Sequence, residues 1–186
     1  RVGGAGALSE LSPDVSLPLR DLGTLMIVQS DNAATNEILD RIGFAKVNTL
    51  AAELGLRYTL LQRKMMDLSA AQAGRDNITS AGDMGLFLRL LYERQVLSPV
   101  ISATIINTMQ RQQIRDKLPA LIPEDIVIAH KTGDLPGVEH DAGIIYIPKR
   151  PCILVVLTDN LSDNRAGACL IAKIAKSVYS HFCLAE

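Results

Sequence analysis

The sequence predicts an α+β fold, in which a helical lobe is followed by a small antiparallel sheet and a closing C-terminal helix. Three observations carry this. Apolar residues recur at helical spacing in five segments between residues 19 and 110. Three short β-branched runs bounded by turn residues follow the link "DKLPALIPED". A last periodic run then closes the chain. The link sets the expected boundary, with a helical lobe over 1–122 and a sheet lobe over 123–186.

Taken in order, the opening stretch is rich in breakers (Gly3, Gly4, Gly6, Pro13, Pro18) and reads as irregular. A first helix over residues 19–29 puts Leu22, Leu25 and Met26 on one face. A second runs from Ala33 to Arg41 and stops at Gly43, a C-cap residue by type. A third covers 45–54 and ends at Gly55. Residues 56–78 lack a clean period and read as a long structured loop with one helical turn. Thr79 or Ser80 then caps a helix in which Met84, Phe87, Leu88 and Leu91 fall at i, i+3, i+4 and i+7, and Ser80 with Asp83 nearly matches a capping box. Ser98-Pro99 opens another, with proline at the first helical position, ending near Gln110. "IVIAHKT", "DAGIIYI" and "CILVVLT" read as strands, and the short "IPKRP" between the last two predicts an antiparallel hairpin. The final helix spans 164–182, with Ile171, Ile174, Ala175 and Val178 facing inward.

Composition narrows the function. The 186 residues are 48% hydrophobic and 21% charged, enough for one compact domain or two small lobes sharing a core. A net charge of −1 without a basic run argues against nucleic acid and membrane surfaces as partners. The longest apolar runs, such as "CILVVL", are too short to span a bilayer. No signal peptide is visible, and a chain opening at Arg1 reads as a piece of something longer. Cys152, Cys169 and Cys183 lack metal-type spacing, so no metal or cofactor is expected. The first two read as core residues, and Cys183 as exposed.

Two short motifs carry chemistry. "QSDNAATN" places Ser30, Asp31 and Asn32 between an apolar helix and the next helix, where a polar triplet is either helix punctuation or a held binding turn. "HKTGD" places Lys131, Thr132 and Gly133 at a strand end. An ammonium, a hydroxyl and a residue without a side chain suit carboxylate recognition, and the backbone N–H of Asp134 is positioned as an oxyanion donor. A second "SDN", Ser162 to Asn164, precedes the last helix and reads as a cap.

Ser-Asp-Asn followed about a hundred residues later by Lys-Thr-Gly resembles the class A β-lactamase and penicillin-binding protein family. "LRDLGTLMIVQSDNAATN", the "GRDNITSAGDM" that looks like the neck of an Ω-loop, and the strand-strand-helix ending extend the resemblance along the whole chain. It implies a β-lactamase/transpeptidase-like fold in which the two motifs meet across a cleft. It also implies a small-molecule substrate, a β-lactam or a peptidoglycan-like peptide, and a periplasmic or secreted location. By resemblance Ser30 relays a proton and, with Lys131, contacts the substrate's carboxylate side; Asn32 binds the substrate amide and a catalytic lysine; Thr132, Gly133 and Asp134 line the strand side. Asp31 holds the loop.

Two departures matter. The family's nucleophile is the serine of S-x-x-K, and no serine here has lysine three positions on. An N-terminally truncated member, missing the nucleophile helix and the first two strands, is therefore expected. Truncation makes "CILVVLT" an exposed edge that calls for a complementing fragment or self-association. In the Ω-like stretch "RKMMDLSAAQAG" there is no glutamate; Asp67 is its only carboxylate, a base with altered geometry or a turn residue. His130 alternates away from Lys131. His140 falls before the second strand, at a rim position where related enzymes carry a substrate-binding arginine. The contrasting expectation is a non-catalytic module that keeps the fold and binds cell-wall peptide or a partner.

Overall fold

The structure, a computed structural model, describes residues 2–184. The chain divides into two compact units, one up to Asp83 and one from Met84. The sequence places its boundary near 122 instead. The difference arises because α6 (Pro99–Met109) packs on the first strand and so joins the sheet unit.

The first unit contains α1 (Leu19–Val28), α2 (Asn32–Ile42), α3 (Phe44–Glu53) and the short α4 (Leu68–Gln72), preceded by a 3-10 turn at Leu8–Glu10. Its core gathers Leu8, Leu22, Ala33 and Ala34, against which Val15, Leu17, Leu25 and Ile38 pack. Helix α2 begins where the side chain of Asp31 accepts from Ala34 N–H and ends at Gly43. The long loop has little regular structure but is not loose. Asn48 exchanges two hydrogen bonds with the backbone of Leu61, at 2.9 and 2.8 Å. Asn36 does the same with Met65, at 3.1 and 2.8 Å. Asn77 Oδ1 accepts from Gln62 and Arg63 N–H. Side-chain amides here replace the ladder that a strand partner would supply.

The second unit opens within α5 (Ala81–Tyr92) and continues through α6, β1 (Ile128–Leu135), β2 (Val138–Ile145), β3 (Cys152–Leu157) and α7 (Asn164–Leu184). The strands pair antiparallel in the order β1-β2-β3. Strand β1 runs three residues past the expected end, so Lys131-Thr132-Gly133 lies inside a strand. The pairing of Leu135 with Val138 across a Pro136-Gly137 turn accounts for this extension. Leu118, Ile122, Ile126, Ile128, Ile145, Ile147, Ile171 and Ala175 form the core. Among the described residues β3 pairs only with β2, and all six of its residues are half-buried. Cys152 is half-buried, but Cys169 is exposed. Helix α7 buries Ala168, Ile171, Ala172 and Ala175, and position 169 falls outside that stripe.

Candidate active site

In the first unit, helix α1 ends at Gln29 and the chain turns sharply. Ser30 stands at φ +55°, a left-handed conformation that a residue with a Cβ adopts only when its surroundings impose it. Asp31 supplies that imposition. Its side chain is buried, with Oδ2 accepting from Ala7 and Leu8 N–H at 2.8 Å each and Oδ1 from Ala34 N–H at 2.8 Å. A carboxylate holding three backbone donors behaves as a rigid post, because each bond is charge-assisted and shielded from water. Asn32 starts α2 half-exposed, its Nδ2 donating to Gly3 O at 3.3 Å. The triplet is thus a cap and a fixed turn at once.

In the second unit, neighbouring side chains on pleated β1 leave opposite faces. His130 and Thr132 share the buried face, and Lys131 and Gly133 take the other, half-buried one. Lys131 Nζ donates to Thr132 O at 2.6 Å. Burial lowers its pKa from 10.5 to about 8, against the raising influence of Asp141 and Asp134; Lys117 lowers it further. A lysine so placed gives up its proton far more readily than one in water. The Thr132 hydroxyl is buried and makes no hydrogen bond among the described residues. Gly133 lies across the ladder from His140, and exposed Asp134 across from Glu139. His140 is therefore part of β2 rather than ahead of it. It stands beside the Lys131 strand, with Thr158 N–H donating to its Nδ1 at 3.1 Å.

Asp67 directly precedes a short helix that sequence periodicity barely signals. It is the N-cap of α4, with Oδ1 accepting from Ala70 N–H at 3.0 Å and from the Ser69 hydroxyl at 2.8 Å. These two bonds hold its carboxyl below the usual range, Ala70 contributing more than Ser69. His130 is fully buried, with Nδ1 3.0 Å from Asp141 Oδ1. The same carboxylate accepts from Leu118 N–H. The second Ser-Asp-Asn caps as expected, Asp163 Oδ1 accepting from Arg165 N–H.

Sequence reasoning missed several residues. Lys117 and Glu139 form a buried ion pair at 2.8 Å, in stretches that read as a link and as the turn before the second strand. Asn164 donates through Nδ2 to Leu135 O, Val138 O and Glu139 Oε1, and accepts from Gly137 N–H. It clasps the turn that follows Lys131-Thr132-Gly133. No periodicity flags such a residue, since its partners, three backbone atoms and the Glu139 carboxylate, lie 25 to 29 positions away.

A helical unit with a post-held Ser-Asp-Asn turn, and an antiparallel sheet carrying Lys-Thr-Gly under a closing helix, describe a β-lactamase-type fold. The family model described as "Beta-lactamase enzyme family" matches residues 1–182, and the chain belongs to that family. It is similar to a β-lactamase of Streptomyces lavendulae (31% identity over 159 residues, covering 80% of this chain and 51% of that protein). It is also similar to the extended-spectrum β-lactamase PER-1 of Pseudomonas aeruginosa (25% identity, covering 89% and 58%). Among solved structures, a β-lactamase from Sphaerobacter thermophilus superposes with a TM-score of 0.92 at 32% identity, over 99% of this chain and 70% of that one. PBP-A superposes with a TM-score of 0.85 at 30% identity, over 97% and 67%. The chain thus spans between half and three-fifths of the curated relatives it matches.

Proposed function

We propose that this chain carries the substrate-binding part of a serine hydrolase that takes β-lactams, or related acyl amides and esters, through an acyl-serine intermediate. By the family resemblance Ser30 and Asn32 in the first unit, and Lys131, Thr132 and Gly133 in the second, are substrate-contacting residues, with Asp134 N–H as a further donor along the strand edge. The observation that carries this reading is Lys131, an amine with a pKa of about 8 set on a strand of the family fold. Such an amine exchanges protons near neutral pH. An amine of this kind suits a proton relay that also contacts a carboxylate.

No serine among these 186 residues has lysine three positions on, so the S-x-x-K serine that would form the acyl-enzyme is not among them. The chain by itself therefore forms no acyl-enzyme. Asp67 serves α4 as its cap, its Oδ1 already committed to Ala70 and Ser69. Lacking a glutamate in this loop, the full protein keeps an acyl group longer than an efficient β-lactamase does, because deacylation needs a base to activate water. The likeness to PBP-A supports the penicillin-binding side of this reading, since a point mutant of that protein has been solved as an acyl-enzyme complex with penicillin G. The alternative is a non-catalytic module binding cell-wall peptide or a partner, and a longer sequence carrying S-x-x-K would exclude it.

Intact-mass measurement after incubation with penicillin G tests both readings. The 186-residue chain is expected to show no adduct, and any longer form carrying S-x-x-K a stoichiometric, slowly lost one. An adduct on the short chain would place the nucleophile within these 186 residues and overturn this reading. No adduct on the longer form would favour the binding module.

A further inference from the structure

The turn after Lys131-Thr132-Gly133 closes readily, but it is of a kind whose twist does not suit two antiparallel strands. Leu135 and Val138 pair across only two residues, Pro136 and Gly137. The turns that match such a hairpin, types I′ and II′, need a positive φ at the first of these, which the proline ring forbids. Gly137 stands at φ +77°, so Pro136-Gly137 forms a type II turn. A type II turn splays the strands it joins. Another group must hold the mouth of this hairpin.

Asn164, at the start of α7, does so. Its Nδ2 donates to Leu135 O at 2.8 Å and to Val138 O at 3.1 Å, one carbonyl from each strand, and its Oδ1 accepts from Gly137 N–H at 2.9 Å. These partners fix which end of the amide is nitrogen, because a carbonyl only accepts and an N–H only donates. Leu161 N–H adds a bond to Gly137 O at 2.9 Å. Nδ2 also reaches Glu139 Oε1 at 2.9 Å, which ties the clasp to the buried Lys117–Glu139 pair. Gly167 lets α7 lie this close, since a Cβ there would fall 2.3 Å from Leu161 Cδ1 and 3.3 Å from Glu139 Cγ.

The clasp aims a strand edge. Glu139 N–H donates to Thr158 Oγ1, and Glu139 O accepts from Thr158 N–H, so both of its main-chain groups face the β3 side. Asp134, its partner across the ladder, therefore turns its N–H away from β2, toward the side of β1 that no strand covers among the described residues. The clasped Leu135 carbonyl belongs to the next residue. We infer that Asn164 is a positioning residue for this edge: by holding the Leu135 and Val138 carbonyls together against a splaying turn, it sets the direction in which Asp134 N–H meets a substrate oxygen. The inference rests on the reading that Asp134 N–H is a substrate donor.

The test uses the isotopically labelled chain. Residual dipolar couplings read the direction of the Asp134 N–H, and ligand-observed NMR reads the Kd of penicillin G. Asn164→Ala should rotate that N–H and weaken penicillin G about tenfold, the share of one hydrogen bond. Adding Pro136→Asn makes the turn an Asn-Gly pair, which adopts type I′ without help, and should restore both. Ser98→Ala removes a cap elsewhere in the unit and should move neither, which separates aim from loss of stability. Unchanged couplings in β3 and α7 report that a variant is folded; where Asn164→Ala is not, Asn164→Ser carries the same readings. An Asp134 N–H that keeps its direction without Asn164 overturns the inference. So does one that moves while the Kd holds, or one that Pro136→Asn fails to bring back. If the unaltered chain does not bind penicillin G at millimolar concentration, the functional reading falls instead, and the positioning role is judged on the N–H direction and its rescue.

Discussion

Both units bury a carboxylate beside their motif, but they satisfy it differently. Asp31 is surrounded by main-chain N–H groups from Ala7, Leu8 and Ala34. Glu139 and Asp141 lean instead on side chains, Lys117 with Asn164 and His130 respectively, with one backbone donor from Leu118. A post made of backbone donors fixes geometry, because its partners cannot rotate away; a post made of ion pairs fixes charge, and answers to anything that removes one partner. The Ser30 turn should accordingly be sensitive to shape and the Lys131 strand to charge.

The largest effect should come from Asp31→Ala, which strands three backbone donors, those of Leu8 and Ala34 buried and that of Ala7 half-buried. Urea denaturation should report a loss of about 4 kcal/mol, given about 1–3 kcal/mol for each unsatisfied group with partial relaxation. A loss near that of an ordinary surface change would mean that the turn stands without its post. Next is Lys117→Met, expected to cost about 3 kcal/mol by leaving Glu139 uncompensated; adding Glu139→Gln should recover most of it. If the double variant is as unstable as the single, packing rather than charge holds that pair.

Lys131 sharpens the contrast through pH. Its folded pKa of about 8 lies below 10.5, so the folded unit favours the neutral amine. Compared with Lys131→Met, the unaltered chain should lose stability as pH falls from 10.5 to 8 and stay level below 8. The full swing is at most about 3 kcal/mol, and a pH-independent difference between the two would sink the assignment. The smallest effect is a reference belonging to neither arrangement. Ser98 Oγ accepts from Ile101 N–H at the start of α6, and Ser98→Ala should cost about 1 kcal/mol in thermal unfolding.

Much of this was legible in the residues. Helix α2 could be placed because Asp31 and Gly43 bracket an amphipathic run, and the three strands because β-branched runs alternate with turn residues. The order of the two motifs was enough to name the family. What the sequence concealed is tertiary. Nothing local distinguishes Lys117 in "DKLPALIPED" from a solvated link residue, yet it is buried against Glu139. Position 169 looked apolar by its neighbours, but a shift of one residue around a helix moves a side chain from core to water. The asparagines that hold the loop of residues 56–78 were unreadable for the same reason, since they bind backbone far along the chain.

The order β1-β2-β3 has a consequence for how the chain folds. Both pairings join strands that follow each other directly, so the sheet assembles from two consecutive hairpins within residues 128–157. Such closures cost little chain entropy, and isolated hairpins form within about 1–10 μs. The bonds from Asp31 to Ala7 and Leu8 instead span 24 and 23 positions and cross all of α1. The sheet should thus zip early from the Pro136-Gly137 turn, while the Ser30 turn waits for a helix to form and for the glycine-rich opening to be drawn in. In a refolding experiment followed residue by residue, amide protection should reach β2 before it reaches Leu8.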